Sequence, residues 1–170
     1  RDAIAELAAA NVGLSASVIA DHFTLLGALP TGLTLERVCS LVGVSTRDEK
    51  IALGEEALKI DPKASALRVN NDYHGLSVTN LDDAVSPAAL FRATAEHLVK
   101  ESANMVSLIE KFTGQATDVV IAGGWVKNPM IASAKKKQFG SYKVSDATEA
   151  GATGAAEFAG IAAGILKLRS

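Results

Sequence analysis

In the segment DVVIAGGWVKNPM, Asp118 to Met130, an apolar string ends on Gly123 and Gly124, and Asn128 with Pro129 follows where a helix must begin. Glycine reaches backbone angles that other residues avoid, and it has no side chain to hold a flat ring or a phosphate away from the peptide. Asn128 is suited to cap the helix, and Pro129 to occupy its first turn, where a missing N–H costs nothing. An open backbone beside the positive end of a helix is chemistry for a nucleotide. A glycine pair after a strand is also ordinary turn punctuation, so the pair alone leaves both readings open. Neither G-x-x-x-x-G-K-[ST] nor a G-x-G-x-x-G after a strand occurs, which removes the P-loop and the ordinary dinucleotide fold.

The other reactive side chains give weaker signals. His22, His74 and His97 lack the mutual spacing of a metal site. Asp82-Asp83 is a carboxylate pair that would attract Mg²⁺, but it precedes a helix cap, where acidic residues complement the helix dipole. Lys135-Lys136-Lys137 closes a helix and reads as a solvated end of the same kind. Cys39 falls on an apolar helix face and reads as packed.

Elements are needed to position these residues. With 170 residues, 48% of them hydrophobic, one domain with a sizeable core is expected. The 17 basic and 19 acidic side chains leave a net charge of -2, which offers no footprint for nucleic acid or an anionic membrane. A lone cysteine forms no internal disulfide and points to a reducing, cytoplasmic setting. FAGIAAGIL is about half the length of a membrane span. RDAIAELAAANVG carries acidic residues where a signal peptide needs its apolar core. Opening on Arg1, the sequence reads as a piece of something longer.

The first third reads as helical, with Val18, Ile19, Leu25 and Leu26 at helical spacing up to a turn triplet, Pro30-Thr31-Gly32. A short helix is expected next, with Thr34 as N-cap and Leu35, Val38 and Val42 on one face. Thr46 and Glu49 form a capping box for a helix that turns Ile51 and Leu58 inward and stops at Asp61-Pro62. Leu67 and Val69, then Leu76 and Val78, alternate with polar residues around an Asn71-Asp72 turn, which predicts a strand pair. Ser86 and Pro87 open a long helix. Along it Phe91, Leu98, Met105 and Phe112, with Ala95, Ser102 and Ile109 between, form a stripe fit to face a sheet, and Gly114 ends it. A strand from Asp118 to Ala122, a helix from Asn128 to Gln138, a strand from Ser141 to Val144 and a helix from Ala150 to Leu166 complete the chain. Strands separated by helices imply parallel or mixed pairing.

The last helix begins in DATEAGATGAAEFAGIAAG, where Gly151, Gly154, Ala155, Ala156, Gly160 and Gly164 would let it approach a sheet or a ligand closely. In this order and spacing the chain resembles the C-terminal domain of the FGGY family of carbohydrate kinases, within the actin-like ATPase group. VVIAGGWVKNPM resembles the family's apolar strand, glycine pair and following asparagine or serine. YKVSDATEAGATGAAEFAGIAAG resembles its closing strand, Glu-Ala, small residues and Gly-Ala-Ala helix. YHGLSVTNLDDAVSPAALFRATAEHLVKE is similar to its glycine-containing strand, loop and long helix, and DHFTLLGALPTG is a fainter echo of the domain's start. The likeness is strong from Tyr73 onward and loose before it.

The resemblance implies a ribonuclease H-like α/β fold, a mixed sheet flanked by helices. In it Gly123 and Gly124 border the adenosine of ATP, and Asn128 hydrogen-bonds near the adenine or ribose. Trp125 stands where the family has glycine or alanine. Its indole could stack on adenine, for about 1–3 kcal/mol, fill the pocket or pack outward. The implied activity is transfer of the γ-phosphate of ATP, with Mg²⁺, to a hydroxyl of a sugar or polyol. Residues 1–170 would be the nucleotide-binding half, inactive alone. An N-terminal half would bring the catalytic aspartate, the sugar pocket and much of the phosphate cradle; no position here matches that aspartate motif. Two alternatives stay open: a non-catalytic binding or interaction module with a blocked nucleotide site, and an unrelated α/β enzyme with a different cofactor at the same strand ends. No motif names the sugar or sets the oligomeric state, a homo-oligomer included.

Overall fold

Four helices pool their apolar faces into one cluster. The computed structural model describes residues 2–17, 19, 21–61, 67–72, 75–81, 85–147 and 149–167. Helix α1 spans Asp2–Ala9, followed by strands β1 (Val12–Ala16) and β2 (Phe23–Gly27). The clustered helices are α2 (Thr31–Leu41), α3 (Arg47–Lys59), α4 (Pro87–Thr113) and α5 (Pro129–Phe139). Strands β3 (Arg68–Asp72) and β4 (Gly75–Thr79) separate α3 from α4; β5 (Val120–Ile121) precedes α5; β6 (Lys143–Val144) and α6 (Ala150–Ala162) follow it. The core joins Leu35 and Val38 of α2, Leu53 and Ala57 of α3, Phe91, Ala95 and Leu98 of α4, and Met130 and Ile131 of α5.

Local chemistry sets the helix ends. The Thr46 hydroxyl accepts from the Glu49 N–H, and the Glu49 carboxylate accepts from the Thr46 N–H at 2.8 Å, the reciprocal box expected of that pair. Ser86 accepts from the Ala89 N–H at 3.1 Å, with Pro87 in the first turn. At the other end of α3, Arg92 reaches back from α4 and donates to the carbonyls of Ala57 (3.1 Å), which also accepts from the Ile60 N–H (3.3 Å), and of Ile60 (2.7 Å).

Asn128 joins two helices. Its Oδ1 accepts from the N–H groups of Met130 (3.0 Å) and Ile131 (3.3 Å), capping α5, while its Nδ2 donates to the Lys50 carbonyl of α3 at 2.7 Å. This approach requires glycine at position 54, where a Cβ would come within 2.5 Å of Oδ1.

Several expectations fail. The helical reading of Val18 to Leu26 gives way to an antiparallel hairpin in which Leu14 faces Leu25 and Ala16 faces Phe23. Helical spacing among four apolar residues is outweighed by cross-strand pairing, and Asn11 and Asp21, at φ 59 and 61, take the left-handed turns that separate the elements. Val18 itself lies outside the described residues. Pro30-Thr31-Gly32 is no turn: α2 starts at Thr31 with Pro30 as N-cap, and Thr34 sits inside, donating to the Pro30 carbonyl. In α3 the buried face is Leu53, Gly54 and Ala57, while Leu58 is exposed and Ile51 half-buried, because the Asn128 contact draws the Gly54 side inward. Asn71 and Asp72 belong to β3 rather than to a turn. Pro62 lies outside the described residues.

The mixed sheet is also absent in the form expected. Among the described residues there are three separate two-stranded ladders, β1 with β2 and β3 with β4 antiparallel, β5 with β6 parallel. Strands β5 and β6 are two residues each, shorter than the sequence indicated. The α4 stripe meets mainly helices, and its distal members Met105 and Phe112 are only half-buried.

The Asn128 joint predicts a reversal of sign. Asn128→Ala should cost about 1–3 kcal/mol, read as a lower urea midpoint. Gly54→Ala should destabilise the native chain but stabilise Asn128→Ala by up to about 1 kcal/mol, because only the helix propensity of alanine is then felt. Additive effects would contradict the joint. A second expectation concerns acid. Backbone N–H groups of Thr46 and Ser45 pull the Glu49 carboxyl from an ordinary 4.5 down to about 2. The stabilisation is therefore complete above the ordinary value and is lost as pH falls toward the lower one. Glu49→Gln should flatten the pH dependence of melting in that window alone.

Candidate functional site

Strand β5 ends in buried Ile121, and the chain then emerges at its carboxyl end. Gly123 takes φ 108 and ψ 167, a conformation that L side chains rarely adopt. Gly124 to Lys127 wind into a 3-10 turn, closed by Val126 N–H to Gly123 O (3.3 Å) and Asn128 N–H to Trp125 O (3.1 Å). Apart from chain neighbours, no heavy atom stands within 4 Å of where a Cβ would sit on either glycine. The two residues form a bare, exposed peptide ledge.

Trp125 turns inward from this ledge. Its ring centroid lies 6.0 Å from that of Phe91 in α4, with the planes at 37°. The Lys50 ammonium of α3 stands 5.7 Å from the indole centroid, within cation–π range, and is held there by Glu36 at 2.6 Å. On the α2 side, a Cβ on Gly32 would be 3.8 Å from Trp125 Cδ1. The indole is thus wedged among three helices, and it does not lie over Gly123. Its contact with Gly32 brings the first turn of α2 close, where N–H groups have no partner within the helix.

Asn128 is only 3% exposed, and its carboxamide oxygen is fully used in capping α5. One N–H of Nδ2 goes to Lys50, which leaves the second for another acceptor. The structure therefore brings Gly123, Gly124, Trp125 and Asn128 together in one turn, with Asn128 as its anchor.

Sequence reasoning missed Gly32, Glu36, Lys50 and Gly54. A signal for Gly54 existed: glycine inside a helix costs about 1 kcal/mol, so its presence marks a close approach. For Lys50 and Glu36 there was none, since their pairing crosses two helices. His74 and the Asp82-Asp83 pair lie outside the described residues. Among the described residues no cluster of three His, Cys, Asp or Glu side chains is placed to hold a metal, and no helix is long and apolar enough to cross a membrane.

Cys39 is wholly buried, and burial pushes its thiol up, which keeps it unreactive. Lys136 and Lys137 are exposed as expected, but Lys135 is half-buried and desolvation pushes its ammonium down. Among the small residues of α6, Gly160 admits the Leu166 side chain, which would stand 2.7 Å from a Cβ there. The helix has no buried residue, and Gly151 and Gly154 face open space.

No family model matches the sequence, and no curated protein matches it. Solved structures do match. A xylulose kinase from Rhodospirillum rubrum aligns at a TM-score of 0.61 and 15% identity, over 74% of this chain and 28% of that one. A xylulose kinase from Bifidobacterium adolescentis aligns at 0.58 and 21%, over 78% and 28%. A Plasmodium falciparum glycerol kinase, solved with ADP, aligns at 0.68 and 15%, over 92% and 34%. These proteins are FGGY carbohydrate kinases, and the chain shares their fold across most of its length. It spans about a third or less of each of them.

The two ledge glycines should respond differently to substitution. Gly123→Ala forces a side chain into a strained conformation and should cost about 1–3 kcal/mol. Gly124→Ala meets no clash and no positive φ, and should change stability by less than about 0.5 kcal/mol. Thermal melting of the two variants checks this; equal effects would contradict the ledge geometry.

Proposed function

We propose that this chain, with its kinase fold, is the ATP-binding C-terminal portion of a carbohydrate kinase that transfers the γ-phosphate of ATP to a sugar or polyol hydroxyl. The observation that carries the reading is the bare peptide at Gly123-Gly124, at the carboxyl end of a parallel strand, where α/β folds place their ligands. Adenosine rests against Gly123 and Gly124, which present backbone without side chains. The second Nδ2 hydrogen of Asn128 is assigned to the adenine or ribose, reached when the turn opens, since the residue is only 3% exposed. Trp125 forms the inner wall, its indole fixed by Phe91 and Lys50.

The described residues offer no metal-ligand cluster, so none of them is assigned to Mg²⁺. No residue of this chain is assigned the catalytic base either. Both tasks fall to an N-terminal half that also forms the sugar pocket, and closure of the halves excludes water from the transfer. In support, the chain leaves much apolar surface uncovered, with Phe23 73% and Ile165 79% exposed beside Leu14, Leu26 and Phe158. Exposed apolar side chains on the hairpin and around α6 are suited to burial against such a half. In the whole kinase, the antiparallel and parallel ladders would form parts of one ribonuclease H-like sheet.

Titration with ATP, followed by emission of the sole tryptophan, tests the reading. A saturable change is expected at millimolar nucleotide or below, and Gly124→Val should abolish it while leaving the fold intact. No change at millimolar nucleotide would favour a non-catalytic module. A response to a dinucleotide without one to ATP would favour an unrelated α/β enzyme.

A further inference from the structure

Two cavities meet on the far side of α4 from the glycine ledge. The larger, about 370 Å³, lies between the end of α3, β3 and α4, with Ile60, Leu67 and Val69 on its walls. The smaller, about 230 Å³, lies between α4 and α5, with Lys100 and Lys137 at its rim. Glu96 and His97 border both. At about 100° per residue, Ala93, Glu96 and Lys100 point roughly opposite to Phe91, and hence away from Trp125.

Among the described residues the charges here are unbalanced. Arg92 and Glu96 neutralise each other at 3.1 Å, and Asp61, at the larger cavity, is already engaged. Arg68 borders the larger cavity; it, Lys100 and Lys137 have no ion-pair partner among the described residues. Two buried polar atoms, Arg92 Nε and His97 Nε2, also lack a hydrogen-bond partner among the described residues. Leaving such atoms unpaired is costly, and a ligand with acceptor oxygens would relieve it.

We propose that the paired cavities form one site for a small organic anion. Its carboxylate or phosphate lies between Lys100 and Lys137, which supply charge, and accepts a hydrogen bond from His97 Nε2 once the ring turns toward the cavities. Its apolar body lies against Ile60, Leu67 and Val69. The larger cavity alone is near the lower end of the size range for small-molecule pockets, and the two together fall well within it. The site is independent of the nucleotide ledge and draws on none of its residues.

Proton–nitrogen correlation NMR of the chain, titrated with butyrate, butyl phosphate and butanol, tests the proposal. At least one anion should shift the His97 ring resonances saturably, together with the amides of Ala134 and Lys137, and butanol should not. Comparing the two anions shows which head group is preferred. The double variant Lys100→Gln/Lys137→Gln should bind about tenfold more weakly, with an unchanged melting temperature. The site is refuted if neither anion gives saturable shifts, if butanol does as well as the anions, or if the double variant binds equally. Adenosine, added separately, should leave the His97 resonances in place, so failure of the ledge and failure of this site are told apart.

Discussion

The arrangement rests on one buried carboxamide. Asn128 caps α5 with its oxygen and holds α3 through the Lys50 carbonyl with its nitrogen, so two helices and the turn before them share a single joint. A buried amide with an unmet bond costs about 1–3 kcal/mol, so the joint tolerates little slack. It also accounts for Gly54, which weakens α3 by about 1 kcal/mol relative to alanine in order to admit the side chain. The position of the glycine ledge follows, since Gly123 to Lys127 lead directly into Asn128.

Around that joint, polar and apolar demands divide cleanly. The indole of Trp125 goes to the helices, where Phe91 gives it a tilted aromatic contact and Lys50 covers its face. The peptide of Gly123 and Gly124 goes to the surface. A larger residue at 124 would cost the fold nothing, which is the pattern expected where the absence of a side chain serves a ligand rather than packing. That reasoning, more than the kinase likeness at 15–21% identity, points to the proposed adenosine site.

Features decided within a few residues were legible in the sequence. The Thr46–Glu49 box, the Ser86-Pro87 start, the Asn128-Pro129 start and the Gly114 stop all depend on neighbours along the chain, and each lies where its residue types demand. Features decided across the chain were not. The pairing of Leu14 with Leu25 overrides a helical spacing, and the inward face of α3 is chosen by Asn128, 78 residues away from Lys50. In the glycine-rich stretch of α6, only Gly160 is met closely, by Leu166, and the helix has no buried residue. Within the candidate site, the ledge was visible as a motif, whereas Gly32 and Lys50 entered it only through tertiary contact with Trp125.

Helix α4 has 27 residues and is therefore about 40 Å long. Its first half is gripped by the other helices and touches Trp125 through Phe91, while its far half carries α1 through the Lys111–Glu6 pair and meets β2 where Met105 lies over Gly27. The hairpin and the indole, at opposite ends of the molecule's longest element, are thus joined through one continuous rod.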